Sequence, residues 1–342
     1  MKQTLFMKQL SKYFDTYLPQ NKSCSKNTIA SYADGFVVFF QFFLEAKGKK
    51  HYQISYSDMT PQTFDEFVLW MQNSKNYSAA SQKQRLSALS SFLKYASRRE
   101  MSALNAFNSI SGASSPKIPR KQMPYFTHEE MKTILHAPKC SGSFGHRDTA
   151  ILSLMYDSGA RAQEVCDILI GDISLGKPSK VRLHGKGNKM REVPISNDVA
   201  KIIRKYLEER EKTFKENRAD PLFPSQRSDK MTTACIRNLV RKYVSMAKEG
   251  TPNLFHDKGY SPHSFRHSKA VHMLEAGVPL IYIRNFLGHE SVKTTELYLR
   301  INQEYAAKIL QERKTSNPIP HVTADKNTAD EENIPAFLKQ VR

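Results

Sequence analysis

Cysteine is nearly missing from this chain: there are four in 342 residues, Cys24, Cys140, Cys166 and Cys235, widely scattered and with no C-x-x-C pair. His136 and His146 flank Cys140, but no second cysteine stands close enough to complete a ligand set. Neither a disulfide framework nor a metal site is expected. No hydrophobic run approaches the length of a membrane span. The opening MKQTLFMKQLSKYF interleaves polar and apolar residues and lacks the core of a signal peptide. A cytoplasmic protein with no membrane partner is the expectation. The sequence also holds no P-loop of the G-x(4)-G-K-[ST] form, no H-E-x-x-H, and no carboxylate cluster of the kind a metal-dependent transposase needs.

Acid is the other scarcity. Asp and Glu number 33 against 52 Lys and Arg, a net charge of +19. Residues 1–122 and 123–315 each carry +10, and the remainder carries −1. Two equally basic blocks suggest two surfaces that grip one polyanion, as in a clamp around a duplex. Charge alone leaves a ribosomal-type or merely basic soluble protein open.

With 39% apolar residues the chain can build packed cores, and its length suits two domains. Residues 1–112 read as a helical bundle. A first helix lies near 3–17. Ser25 or Asn27 caps a second, whose Ile29, Tyr32, Phe36, Phe39, Phe40 and Phe43 recur at helical spacing, and Gly48 stops it. Thr60 caps a third with Pro61 in its first turn. Ser78 opens a fourth that turns Leu86, Leu89, Leu93 and Ala96 inward and Lys83, Arg85, Lys94 and Arg98 outward. The aromatics fall on the buried period and read as core. Lys83 and Arg85 are candidate DNA contacts.

Residues 113–124 read as an interdomain linker. The stretch SGASSPKIPRKQMP, from Ser111 to Pro124, has three prolines, three basic residues and no acid, so it packs poorly and is weakly helical. Lys117, Arg120 and Lys121 would lie well along a phosphate backbone. Residues 125–314 are mixed. Thr127 with Glu129 and Glu130 opens a helix to about His136, and another covers 146–158. VRLHGKGNKMREVPI reads as a hairpin around a Gly-Lys-Gly-Asn turn. Helices are expected near 197–215, 232–248, 264–276, 279–287 and 291–313. The tail 315–342 is polar, with a possible docking helix at its end: Ile334, Phe337, Leu338 and Val341 share one helical face.

Three local patterns carry chemistry. HSFRH places His263 before a helix and Arg266 three residues on, so that both can face one side. An arginine fork matches two phosphate oxygens, and a neighbouring imidazole can move a proton. LGHESVKTTELYL places His289 on a turn nine residues before Tyr298. SGARAQEV places Arg161 after a Gly-Ala turn, with Glu164 following. Singly, each pattern also fits a cap, a surface charge or a core tyrosine.

Their order, Arg161, a basic hairpin, His263-x-x-Arg266, His289, Tyr298, resembles the tyrosine recombinase, or phage integrase, family. GARAQE is similar to its G-[LA]-R-x-x-E box. HGKGNK is similar to the strand-turn motif bearing a catalytic lysine, which falls on Lys186. HSFRH is similar to H-x-L-R-H, with Phe265 in place of leucine. LGHESVKTTELY is similar to the L-G-H-x(8)-Y box. The likeness is close over 125–313 and looser over the N-terminal block, which resembles a core-binding domain. It implies a mainly α fold with a small β-hairpin or sheet, in a helical core-binding domain followed by a catalytic domain.

The resemblance implies that Tyr298 attacks phosphorus to leave a 3′-phosphotyrosine and a free 5′-hydroxyl. Arg161 and Arg266 would hold the nonbridging oxygens, Lys186 would protonate the leaving oxygen, His263 would take the tyrosine proton and His289 would bond the phosphate. Bond energy is conserved in the covalent intermediate, so no ATP, metal or other cofactor is expected. Lys189 and Arg191 are expected as phosphate contacts, and Glu164 as support for Arg161 or the fold. The partners implied are double-stranded DNA with specific sites and, in synapsis, a homotetramer or a hetero-recombinase. A tail segment passed between protomers would serve that assembly. With no arm-binding domain expected before the helical block, a simple recombinase or mobile-element transposase is favoured. Two alternatives remain: relaxation of the type IB topoisomerase kind, and a noncatalytic DNA-binding regulator of the same fold.

Overall fold

The structure, a computed structural model, describes residues 3–112, 124–140, 144–185, 189–211, 217–225, 230–256 and 259–288. The expectations that rest on Lys117, Arg120, Lys121, Lys186, His289, Tyr298, the helix near 291–313 and the docking helix of the tail lie outside the described residues. The chain divides into two compact units, Met1–Lys121 and Gln122–Arg342.

The first unit is wholly helical among its described residues. Helix α1 (Leu5–Lys12) runs on into a nine-residue π-helical segment, Tyr13–Asn21, and so reaches past the expected end at 17. Capping side chains set the next starts. Ser25 accepts from the Thr28 amide to begin α2 (Lys26–Lys47), Thr60 from Thr63 to begin α3 (Pro61–Asn73), and Ser78 from Ser81 to begin α4 (Ala79–Ser97). Gly48, at φ 65°, ends α2 in the left-handed region. A fifth helix, α5 (Met101–Gly112), was not expected; only Ala103, Ala106 and Ile110 of it are buried.

Helix α2 has the length and composition of a membrane span, more than the sequence reading allowed. One face of it is buried within the unit, while Val37 and Leu44 are exposed. Phe36, Phe39, Phe42 and Phe43 are each at most 2% exposed, inside a core shared with Phe64 and Phe67 of α3 and Phe92 of α4. Phe39 stands at the centre, with ring centroids of Phe43, Phe64 and Phe67 at 5.0, 6.2 and 5.1 Å.

In the second unit, Thr127 and Glu130 form a reciprocal capping box on α6 (His128–His136). Helix α7 (Gly145–Ser158) is buried along most of its length and ends at Gly159, in the left-handed region at φ 59°. Arg161 caps the short α8 (Ala162–Asp167). An antiparallel sheet follows: β1 (Ile173–Ser174), β2 (Lys180–His184) and β3 (Met190–Pro194), in spatial order β1-β2-β3. The expected hairpin therefore has a two-residue third strand. Register pairs Val181 with Val193 and Leu183 with Arg191, so those four share the face turned to the core. Helices α9 (Asn197–Glu211), α10 (Thr233–Gly250), α11 (Pro262–Glu275) and α12 (Leu280–Leu287) complete the described part.

Two buried clusters hold this unit. The larger joins α6, α7, α8, the sheet, α9 and α10 to Phe265 of α11. The smaller, Ala270, Val271, Leu274, Ile283 and Leu287, fastens α12 onto α11.

Truncating a fully buried phenylalanine costs about 3–5 kcal/mol. Phe39→Ala should lower the stability of the first unit by that amount, followed by urea unfolding of the full chain. A loss below about 1 kcal/mol would show that the aromatic cluster collapses around the gap.

Candidate functional site

The turn before α8 is shaped by Gly159. Its left-handed backbone suits glycine, and a Cβ there would stand 2.6 Å from Leu287 Cδ2. Ala160 is buried, and Arg161 then leaves the turn in extended conformation. Its amide donates to Glu164 Oε2 and its Nη1 to Glu164 Oε1, both at 2.8 Å. The Arg161 side chain is 39% exposed while that of Glu164 is 3% exposed. Glu164 thus anchors a cation whose other side is open to solvent.

Arg266 is fully buried on α11. Its Nη1 donates to the Gly159 carbonyl at 2.8 Å and its Nη2 to the Leu287 carbonyl at 2.6 Å. These carbonyls end α7 and α12, where the helix dipoles present partial negative charge. The two bonds orient the fork without cancelling its charge. The guanidinium lies inside the unit and braces the turns that lead to Arg161 and Gly288.

His263 lies within the first turn of α11, which Pro262 begins, and not before the helix as its spacing suggests. The residue reaches solvent, yet the protein packed about its ring disfavours the imidazolium and lowers its pKa, and the charges of Arg266 and Arg161 lower it further. Both arginines therefore act on one imidazole and disfavour its charged form. A neutral ring beside two cations can accept a proton from an acidic hydroxyl.

The hairpin was expected to present Lys189 and Arg191 to phosphate. Lys189 is exposed. Arg191 is a correction: it turns inward and bonds Glu164 through Nη1 to Oε1 and Nη2 to Oε2, each at 2.8 Å. Period-two alternation could have found its direction, because Val193 of the same strand is buried and Arg191 is two residues away. Burial pushes the Glu164 carboxyl up, but the bond and charge of Arg191, then the amide and charge of Arg161, outweigh it and hold the group below its usual range.

In the first unit, Lys83, Ser87, Ser90 and Lys94 follow one face of α4 and line a groove of about 410 Å³ with Ser91 and Ser111. Exposed lysines alternating with small hydroxyls suit a phosphodiester backbone. Arg85 departs from the expectation. Its guanidinium carbon lies 4.2 Å from the Tyr77 ring centroid, and Nη1 bonds the Ser81 carbonyl at 3.0 Å, so it packs on its own unit.

A second polar group on α11 escaped the sequence reading. His272 Nδ1 lies 2.8 Å from the Tyr156 hydroxyl of α7, and its ring stacks on His128 at 3.7 Å. Ligand atoms of His128, His272 and Glu275 all fall within 4.8 Å of one another. The two rings are 17° from parallel, so their in-plane lone pairs run side by side and do not converge on one ion. Glu275 Oε2 pairs with His128 Nε2 at 3.2 Å.

Comparison with known proteins fits this geometry. The model of the phage integrase family matches residues 124–305, and that of the phage integrase N-terminal SAM-like domain matches residues 12–100. The tyrosine recombinase XerC of Natranaerobius thermophilus is 30% identical over 295 residues, covering 85% of this chain and 93% of that protein. Among solved structures, the site-specific recombinase XerH bound to palindromic difH substrate gives a TM-score of 0.66 at 20% identity, covering 88% of this chain and 85% of that one. The Tn1549 transposon integrase with transposon right end DNA gives 0.67 at 16% identity, covering 89% and 98%. These two structures establish likeness of fold. The chain belongs to the phage integrase family and is a site-specific DNA recombinase of the tyrosine type.

His272 supplies a pH test. Burial first, then the charges of His128 and Lys269, push its pKa from 6.5 to about 4. The unfolded chain takes up this proton before the folded one, so the contribution is full above pH 6.5 and fades as pH falls toward 4. At 1.36 kcal/mol per unit the group should remove about 3 kcal/mol over that window. Urea unfolding at both ends of it should show a smaller loss for His272→Gln than for wild type. Equal losses would mean the ring is not held neutral.

Proposed function

We propose that this recombinase cuts and rejoins double-stranded DNA through a 3′-phosphotyrosine, with Tyr298 as nucleophile. What supports the reading is that the charges of Arg161 and Arg266 both act on His263 and disfavour its imidazolium form, in a chain that the phage integrase family model matches over residues 124–305. The Tyr298 oxygen attacks phosphorus and passes its proton to His263. The P–O bond to the 5′ oxygen breaks, and Lys186 protonates that oxygen as it leaves. Arg161 meets a nonbridging oxygen from its open side, Arg266 adds positive charge from the interior, and His289 bonds the phosphate. Religation runs these transfers backward. One phosphoester replaces another, so bond energy is conserved and neither ATP nor a metal enters the balance.

The biological setting follows by the same reading. Like the Tn1549 integrase it resembles in fold, the protein serves a mobile element, acting in the cytoplasm on paired sites as a tetramer of this chain or with a second recombinase. Residues 1–112 act as the core-binding domain, 113–124 as a basic linker with Lys117, Arg120 and Lys121 along phosphates, and 125–314 as the catalytic domain. Lys189 adds a phosphate contact from the hairpin. The tail 315–342 reaches a neighbouring protomer in synapsis.

Incubating the full chain with a randomised, nicked duplex library and sequencing the detergent-resistant adducts tests the reaction and supplies a substrate. Wild type should form such adducts. Tyr298→Phe keeps the ring and removes the attacking oxygen, so it should bind the recovered duplex as wild type does and form none. Adducts from the phenylalanine variant would dismiss Tyr298 as nucleophile.

Binding to the same duplex tests the α4 groove. Each phosphate neutralised contributes about 0.9 to the slope of log K against log salt. Lys83→Ala with Lys94→Ala should therefore flatten that slope by roughly 1.8 if each lysine meets one phosphate. An unchanged slope would remove the groove from the DNA interface.

A further inference from the structure

Arg191 lies where three segments of the second unit meet. Its guanidinium takes both oxygens of Glu164 on α8, the carboxylate that also fixes Arg161. A Cβ added to Gly288, which ends α12, would stand 3.1 Å from Arg191 Cδ and 3.4 Å from its Nε and Nη1. One added to Gly185, at the start of the hairpin turn, would stand 3.6 Å from Glu164 Oε1 and 3.7 Å from Arg191 Nη1. The pair therefore packs against the backbone on either side: the residue before Lys186 and the residue before His289.

The energetics suit a brace. Glu164 is almost fully buried, and a buried carboxylate costs several kcal/mol unless it is paired and bonded. Arg191 supplies a two-point bond in the interior, with its own side chain 15% exposed. Its Nε–H is buried without an acceptor, a cost that the paired bonds to Glu164 offset. Without Arg191, the carboxylate would have to draw its whole compensation from Arg161. That would pull inward the cation whose other side faces solvent.

We propose that Arg191 is a positioning residue for strand cleavage: it neutralises Glu164, leaving Arg161 free to face the phosphate, and it fixes the hairpin base against the Gly288 turn. This rests on the strand-cleavage reading above. Arg191 touches no reacting atom. Its effect passes through Glu164, whose carboxylate meets Arg191 from β3 and Arg161 at the start of α8.

The test uses the full chain and the duplex that wild type captures. Single-turnover cleavage, duplex affinity and the acid limb of the cleavage profile are measured for wild type, Arg191→Gln and Arg191→Lys. Arg191→Gln should cleave about tenfold or more slowly with affinity within about twofold of wild type, a loss confined to the chemical step. Because burial raises the Glu164 pKa and Arg191 opposes it, the acid limb of Arg191→Gln should move to higher pH than that of wild type. Arg191→Lys keeps the charge and loses the fork, so its limb should stay near that of wild type while its rate falls about three- to tenfold. If Arg191→Gln fails to fold, the lysine variant decides alone, and a wild-type rate from it overturns the proposal. Cleavage and affinity falling together with an unmoved acid limb would also overturn it, leaving only a structural role. Absence of adducts from wild type would instead overturn the cleavage reading, and the role of Arg191 with it.

Discussion

The arrangement of the second unit depends on one buried cation bonded to two helix ends. Arg266 donates to the last carbonyls of α7 and α12, and so fixes the distance between the turn that releases Arg161 and the turn at Gly288. Removing the fork would leave two C-terminal carbonyls buried and unsatisfied, at about 1–3 kcal/mol each. The surrounding features fit this constraint. Gly159 admits Leu287 at a distance no side chain would allow, and Leu287 and Ile283 pack onto Ala270 and Val271 of the helix that carries Arg266. A lysine could not span both carbonyls with one planar group, so the choice of arginine is geometric as well as electrostatic.

Around that brace the charges are ordered by exposure. Arg266 is buried on carbonyls, Glu164 is buried between Arg161 and Arg191, and of these four residues Arg161 alone opens to solvent by more than a third of its side chain. The charges of Arg161 and Arg266 disfavour the imidazolium form of His263. Cations fixed before substrate arrives need no reorganisation as negative charge grows at phosphorus, which is where preorganised electrostatics contribute most.

Much of the fold was legible because capping is local. Ser25, Thr60 with Pro61, Ser78 and the Thr127–Glu130 box marked helix starts within three residues of their partners. Helix α5 was missed because its buried side is mostly alanine, which leaves little hydrophobic period to read. Strand β1 is two residues long and exists through its pairing with β2. The candidate site divides in the same way. The spacing of His263 and Arg266 is local and was readable. The bonds that define the roles of Arg266 and Arg191 join residues 107, 21 and 27 positions apart, and no local pattern encodes them. Arg85 and Arg191 looked like surface charge, because composition counts a cation without telling what it rests on.

That distinction changes how the net charge of +19 is understood. The arginines of the site contribute to the count, yet their fields are confined by carbonyls and a carboxylate within the unit. On the proposed reading, the exposed lysines of α4 and Lys189 of the hairpin are among the groups whose counterions a polyanion displaces. Lysine, mobile and strongly hydrated, suits long-range attraction, and arginine, planar and bonded at two points, suits a fixed field inside the unit. Salt will therefore weaken capture of DNA far more than it weakens the field at His263, since the Debye length of about 8 Å at physiological ionic strength screens exposed charges and leaves buried ones largely unscreened.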